Sequence, residues 1–188
     1  MKVLLKTIFI LLAVSLSLHA IEENKIKEVM KNQIDSILVI MQNKELDKKT
    51  TASKVFSLLD SIFDYKTMSK ISLGKNWRKL SAQQKDAFAK SFEKKLKFSY
   101  MDKLDLYTDE KVLIKELLKK KKNRIQLYTD LLGKDASFEI IYKFHKNKNN
   151  DWLIYDVKII GVSIIQTYRK QFSAYLKNNT LEALINSL

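Results

Sequence analysis

The spacing of hydrophobic residues along this chain follows a helical period first, then a strand period, then a helical period again. Apolar residues recur every three or four positions from Ile26 to Met41 and from Ala52 to Phe63, which predicts two amphipathic helices joined by a polar link. A shorter helix is predicted from Tyr65 to Leu73, followed by Gly74, a residue type that tolerates the positive φ of many helix ends. The first part of the chain is therefore expected to be helical.

A fourth helix is predicted to begin at Ser81. Ser81 and Gln84 have the spacing of a capping box, in which two residues satisfy each other's backbone N–H groups at a helix start. Phe88, Phe92 and Leu96 then recur on one helical face. This helix is expected to bury an aromatic stripe.

Alternation with a period of two replaces the helical spacing in the next part of the chain. Strands are predicted at Val112 to Leu118, Arg124 to Leu132, Ala136 to Lys146 and Trp152 to Ile160. The connections between them are short, which indicates an antiparallel sheet. The apolar set expected on the inward strand faces is Ile125, Leu127, Phe138, Ile140, Tyr142, Phe144, Leu153, Tyr155, Val157 and Ile159. Asp156 and Lys158 fall on the opposite face of the last strand.

A final amphipathic helix is predicted after Gly161, because apolar residues from Val162 to Leu176 again recur at three- and four-residue intervals. Helices, then a four-stranded meander, then a helix indicate an α+β domain with helices packed on one face of a curved four-stranded antiparallel sheet. The chain contains no proline, and no linker divides it. A single domain is expected.

The N-terminus has the pattern of a secretory signal peptide. Two lysines precede an apolar run from Thr7 to Leu18, which is too short to span a bilayer. Cleavage is expected after Ala20, with a cut after Ser17 as the alternative, so that residues 21–188 form the mature domain in the periplasm. The chain has no cysteine, which excludes a lipoprotein signal and disulfides.

The positive charge of the chain is spread along its length. Removing residues 1–20 takes away two lysines and no acids, so the net charge falls from +14 to +12. Because the lysines are not gathered in one stripe with aromatic residues, a nucleic-acid site is not expected. The cluster from Lys119 to Lys122 is interpreted as a solvated hairpin tip, with contact to lipid headgroups or an acidic partner as the alternative.

The residues needed for most catalytic and metal sites are missing. His145 is the only histidine after residue 20, and its position on the polar phase of a strand predicts a surface side chain. Zinc sites built from cysteine and histidine are therefore excluded. The three glycines do not form a phosphate-binding loop. No enzyme activity, metal or cofactor is expected.

Two blocks of the sequence match a known family. The first is Trp152 to Ser163, which follows W-x-[IV]-Y-D-[VI]-x-[IV]-x-G-[VI]-S, continued by Tyr168-Arg169-x-Gln171-Phe172. The second is Phe63 to Arg78, which follows F-D-x-x-x-M and L-G-x-x-W, with Ser81 to Lys85 beyond it. The chain resembles the MlaC family, also called the toluene-tolerance auxiliary component of an ABC transporter.

The resemblance implies a function and its partners. Members are periplasmic phospholipid-binding shuttles, so the chain is expected to carry a diacyl phospholipid in an apolar cavity, as a monomer, and to help maintain the lipid asymmetry of the outer membrane. The implied partners are an inner-membrane MCE-domain protein of an ABC transporter complex and an outer-membrane lipoprotein working with a porin. A carrier of another lipid, such as a hopanoid, is the alternative, followed by an enzyme of related α+β architecture.

The residues expected to line the cavity come from the two blocks and from the predicted inward faces: Phe63, Met68, Trp77, Phe88, Phe92, Leu127, Phe138, Ile140, Tyr142, Tyr155, Val157, Ile159, Ile165, Tyr168 and Phe172. Sequence alone does not separate such a lining from ordinary core. Asp64 is expected to cap a helix, and Asp156 to have a pairing partner. The Trp77-Arg78 and Tyr168-Arg169 pairs are interpreted as packed rings with stacked or snorkelling cations.

Overall fold

A computed structural model describes residues 21–101, 109–134 and 136–188 of the chain. The predicted signal peptide lies outside the described residues. The helices of the described part are α1 (Ile26–Gln42), α2 (Lys48–Asp60), α3 (Tyr65–Leu73), α4 (Ala82–Met101), α5 (Ile164–Tyr175) and α6 (Leu181–Asn186), with 3-10 turns at Glu23–Lys25 and Gly74–Lys79. None of these helices is both long enough and apolar enough to cross a membrane.

The strands form one antiparallel sheet in sequence order. They are β1 (Lys111–Lys121), β2 (Arg124–Leu132), β3 (Ser137–Lys146), β4 (Trp152–Ile159) and β5 (Val162–Ser163). The sheet is curved and open, which confirms the α+β prediction, although β5 adds a strand to the four predicted. The cluster from Lys119 to Lys122 lies at the β1–β2 hairpin, as predicted.

The residues predicted to cap or end helices do so in the structure. The Ser81 N–H donates to Gln84 Oε1 at 3.0 Å, and the Gln84 N–H donates to Ser81 Oγ at 3.1 Å, which completes the capping box. Asp64 caps α3 by accepting a hydrogen bond from the Thr67 N–H at 2.8 Å. Gly74 ends α3 with a φ of 61°.

The predicted face of β4 is wrong for its first half, because the strand contains a bulge. Lys143 of β3 pairs with Asp156, but the next residue, Phe144, pairs with Ile154, so Tyr155 has no partner in the register. The inward residues before the bulge are therefore Trp152 and Ile154, not Leu153 and Tyr155. After it, Val157 and Ile159 face inward as predicted.

Three further expectations are corrected by the structure. His145 is 8% exposed rather than a surface side chain, because it pairs with a carboxylate described below. Val162 belongs to β5 and is exposed, because α5 begins only at Ile164 with Ser163 as its N-cap. Phe138 has the inward phase of Ile140 but is 40% exposed, since it lies near the start of β3.

The buried side chains form two clusters. The first, called the sheet cluster here, joins α1 to the inward face of the sheet and includes Met30, Leu127, Phe144 and Ile154. The second, called the helix cluster, joins α3, α4, α5 and α6: Met68, Leu73, Trp77, Leu80, Phe88, Phe92, Leu96, Ile165, Tyr168, Phe172 and Leu184. Phe63 and Ile164 are partly buried and touch both clusters.

Candidate functional site

An apolar cavity of about 380 Å³ lies where the two clusters meet. Its wall draws on five helices and three strands, and several of its residues are only partly buried because neither cluster covers them fully. The lining residues are Ile37, Met41, Val55, Phe56, Leu59, Phe63, Tyr65, Met68, Leu96, Lys97, Tyr100, Leu131, Ile140, Tyr142, Val157, Ile159 and Ile164.

The structure places six of the candidate lining residues around this cavity. They are Phe63, Met68, Ile140, Tyr142, Val157 and Ile159. Tyr142 pairs with Val157 across β3 and β4, and Ile140 pairs with Ile159, so these four form one patch of the sheet wall. Apolar and polar residues alternate regularly in β3 and in the second half of β4, so the sequence pattern placed these four residues on one face of the sheet.

The other candidates lie elsewhere. Trp77, Phe88, Phe92, Ile165, Tyr168 and Phe172 pack in the helix cluster, and Leu127 packs in the sheet cluster. Phe88, Phe92 and Phe172 contact one another edge to face or stacked, with ring centroids 5.7 to 6.3 Å apart. Tyr155 is away from the cavity, where its ring contacts His145 and lies under the Arg124 guanidinium.

Sequence reasoning missed most of the helical wall. Ile37, Met41, Val55 and Leu59 belong to the apolar stripes of α1 and α2, and the stripe was the available signal. A stripe of this kind predicts burial but does not tell a packed residue from one that faces a gap. Nothing in the sequence indicated that Lys97 lines the cavity, because a charged residue is not expected in an apolar wall.

Lys97 is the one charged side chain among these described lining residues. Its ammonium lies 2.7 Å from Asp60 and 2.6 Å from Glu93, and 5.1 Å from the centroid of the Tyr65 ring. Burial acts to lower the pKa of Lys97, but the hydrogen bonds to the two carboxylates outweigh it, and the pKa is raised. The lysine is therefore charged at neutral pH and belongs to an ion-pair network at the edge of the cavity.

Three tyrosines, Tyr65, Tyr100 and Tyr142, bring hydroxyl groups to the otherwise apolar wall, and the Tyr65 hydroxyl donates a hydrogen bond to Asp60. Burial raises the pKa of Tyr142 to about 12, and burial together with the nearby Tyr168 raises the pKa of Tyr100 to about 12. Both phenols are neutral at physiological pH. They can donate hydrogen bonds to an ester or hydroxyl group inside the cavity without placing a charge there.

The acidic residues of the two sequence blocks hold the walls in position. Asp64 accepts hydrogen bonds from Thr67 and lies 2.8 Å from His145 Nε2, which ties α3 to β3. Asp156 is 3% exposed and pairs with Lys143 at 2.8 Å, so the predicted partner is present. Ser163, the N-cap of α5, donates its hydroxyl hydrogen to the same Asp156 carboxylate.

Gly74 and Arg169 bring the two blocks into contact. A Cβ atom at Gly74 would lie 3.2 Å from Arg169 Nε, so the guanidinium packs on the bare glycine backbone where α3 ends. This contact joins α3 to α5, and α3 carries Tyr65 and Met68 of the cavity wall. Gly74 and Arg169 therefore support the cavity from outside.

The side chains that line the cavity suit the binding of an apolar ligand better than the catalysis of a reaction. The wall is apolar apart from the groups named above, and within residues 21–101, 109–134 and 136–188 no group of three or more acidic, histidine or cysteine side chains is placed to hold a metal ion. A cavity of this size and composition falls in the range of sites for lipids and other small apolar molecules.

Known proteins are similar to this chain in sequence and in fold. The profile of the family described as "MlaC protein" matches residues 31–188. The chain is 27% identical over 122 residues to the intermembrane phospholipid transport system binding protein MlaC of Haemophilus influenzae, a match that covers 62% of the chain but only 56% of that relative's length.

A solved structure supports the architecture. The phospholipid-binding protein of Ralstonia solanacearum, determined in complex with a phospholipid, aligns with a TM-score of 0.72 and 21% identity, covering 85% of this chain and 92% of that one. At this identity the likeness shows the fold. The family match spans most of the chain, and the chain therefore belongs to the MlaC family.

Proposed function

We propose that this chain is a periplasmic phospholipid-binding shuttle that carries a diacyl phospholipid between membrane-bound complexes. The observation that carries the proposal is the apolar cavity between the two clusters, walled by Ile140, Tyr142, Val157 and Ile159 on the sheet side. The Haemophilus relative is named as part of an intermembrane phospholipid transport system, and the Ralstonia structure holds a phospholipid.

A carrier needs such a cavity because exposing acyl chains to water costs a large free energy. At about 0.8 kcal/mol per CH₂, exposing two acyl chains with on the order of 30 methylenes to water costs about 25 kcal/mol. In the liquid one water occupies about 30 Å³, so 380 Å³ holds on the order of a dozen groups of water's size. A methylene group is about as large as a water molecule, so the cavity has the scale of one acyl chain and must widen to enclose two.

The proposal includes processing and partners. Residues 1–20 serve as a cleaved signal peptide, and residues 21–188 fold as one domain in the periplasm. Lipid is exchanged with an inner-membrane MCE-domain protein of an ABC transporter complex and with an outer-membrane lipoprotein and porin, which maintains outer-membrane lipid asymmetry. The protein performs no chemistry on its cargo and needs no cofactor.

Native mass spectrometry of the full chain, exported to a bacterial periplasm and purified without detergent, tests the proposal. We expect one diacyl phospholipid bound to most protein molecules, confirmed by organic extraction. A protein of similar charge, handled in parallel, controls for adherent lipid. An empty protein, or lipid no higher than in this control, contradicts the carrier function, and a polycyclic lipid mass would replace phospholipid by a hopanoid-type cargo.

A further inference from the structure

A groove on α4 adjoins the lipid cavity. It has a volume of about 430 Å³, and it shares Phe56 and Lys97 with the cavity wall. Its other residues are Lys90, Glu93, Lys94, Phe98 and Met101. The groove is more open than the cavity and has three lysines and a glutamate beside its apolar residues, so it suits a lipid's polar end better than the cavity does.

The groove carries a row of positive charges. Lys90, Lys94 and Lys97 are separated by four and three positions, so they lie on one face of α4. Lys97 is held by Glu93 and by Asp60 behind it. Lys94 is exposed and forms no ion pair with any residue in the described part of the chain, so its charge is available to a ligand.

We propose that this groove is the headgroup site of the carrier, where the phosphate of the bound lipid lies against Lys94 and Lys90. The inference rests on the proposed function. With the acyl chains in the cavity, Lys97 and Phe56 mark the boundary at which tails end and polar groups begin. Ammonium groups hold phosphate oxygens through charge-assisted hydrogen bonds.

A preference among phospholipids follows from the charge of this groove. In a zwitterionic lipid, the headgroup amine lies close to the phosphate and is repelled by the lysines, whereas an anionic lipid such as phosphatidylglycerol has no such group. The carrier therefore selects phospholipids of net negative charge. The preference is moderate, since exposed charges are screened by water and salt.

The opposite flank of α4 provides the matched control. A second groove there also adjoins the cavity, through Tyr100, Ile159 and Ile164, but it contains a single lysine, Lys95, beside Ser99, Thr167 and Gln171. Lys95 has the same charge as Lys94 and is its neighbour in the sequence. Replacing one or the other removes the same charge from different sides of one helix.

Lipid selection from mixed vesicles tests the site. Full-chain wild type, Lys90→Gln/Lys94→Gln and Lys95→Gln are equilibrated with vesicles of equal phosphatidylglycerol and phosphatidylethanolamine that have the same acyl chains, and native mass spectrometry reports both bound lipids. We expect the wild type to favour phosphatidylglycerol by about threefold, as partly screened charges allow. The double variant binds less phosphatidylglycerol and loses this preference, and Lys95→Gln keeps both.

The opposite results overturn the site. An equal ratio in the wild type, a ratio that survives in the double variant, or a ratio lost in Lys95→Gln excludes this groove, while full occupancy leaves the carrier function intact. An empty wild type overturns both proposals. Glycerol 3-phosphate in excess should leave the ratio unchanged, because it has no tails, and loss of the ratio would identify a site for free phosphate esters instead.

Discussion

The Nε2 atom of His145 lies 2.8 Å from a carboxylate oxygen of Asp64, so the end of β3 is bonded to the N-cap of α3. The segment before this cap runs along β4, where the Ile154 N–H donates to the Ile62 carbonyl oxygen and the Asp64 N–H donates to the Ile154 carbonyl oxygen. Asp64 thus connects three elements through its backbone and side chain. Its contribution to stability should exceed that of an ordinary helix cap.

Replacing Asp64 by Asn should lower the free energy of unfolding by about 1–3 kcal/mol at pH 7, because a partly buried charged hydrogen bond is lost while the cap geometry is kept. Burial acts to raise the pKa of Asp64, but hydrogen bonds with His145 and Thr67 outweigh it, and the pKa is lowered. The contribution is therefore present above the unfolded-state pKa of about 3.9 and is lost as the pH falls through the lower folded-state pKa.

Urea denaturation of both proteins between pH 3 and pH 7 measures this effect, and the difference between the two stabilities should shrink toward the acid end. Asp47→Asn is the matched control, because Asp47 caps α2 through Thr50 in the same way but is exposed. A control variant that loses as much stability as Asp64→Asn would contradict a special role for the His145 pair.

Replacing Gly74 by Ala should destabilise the fold by about 1–3 kcal/mol, because a side chain is placed at positive φ and against Arg169. Gly161→Ala separates the two causes, since Gly161 has a φ of 77° and open space around it. Thermal or urea unfolding should show the larger loss at Gly74. Adding Arg169→Ala should recover part of it, and strict additivity of the two changes would exclude the contact as a cause.

Filling the cavity should expel its ligand. Ile159→Trp places a larger ring on the sheet wall, so we expect lipid phosphate per protein to fall to less than about half of the wild-type value while the circular dichroism spectrum is kept. Lys158→Trp is the control, because Lys158 lies on the other face of β4. Equal lipid content in the two variants would show that this cavity is not where the lipid binds.

Replacing Ser163 by Ala should cost more than the loss of a helix cap. Ser163 caps α5 and also donates to the buried Asp156 carboxylate, so the variant loses about 1 kcal/mol for the cap and about 1–3 kcal/mol for the carboxylate left short of a donor. Thr180→Ala, at the exposed N-cap of α6, measures the first cost alone. Similar losses of unfolding free energy in both variants would show that Lys143 and the backbone satisfy Asp156 without Ser163.

The features that sequence predicted well depend on residues close together in the chain. The Ser81–Gln84 capping box, the Asp64 cap and the Gly74 helix end each involve positions at most four apart, where side-chain chemistry acts on the nearest backbone. The predicted inward orientation of Tyr155 was wrong, because it ignored the bulge in β4, and a bulge depends on how β3 and β4 pair. The burial of His145 was missed because its partner is 81 positions away in the sequence.

The sequence predicted an apolar cavity but did not predict which residues line it. The pattern of Phe88 and Phe92 resembles that of Val55 and Leu59, yet the first pair packs in the helix cluster and the second faces the cavity. Both are apolar stripes at helical spacing. Which stripe meets a gap depends on how the elements assemble, and that information is spread over the whole chain.

Most residues of the cavity wall are not among the most tightly packed side chains, although Met68, Leu96 and Val157 belong to both groups. Ile37, Leu59 and Ile159 face empty space on one side, whereas Phe88, Phe144 and Trp152 are enclosed by neighbours. Substitutions in the first group can lengthen or shorten the cavity without removing the contacts that keep the domain folded. A protein built in this way can be adapted to cargo of a different length by a few changes at the wall.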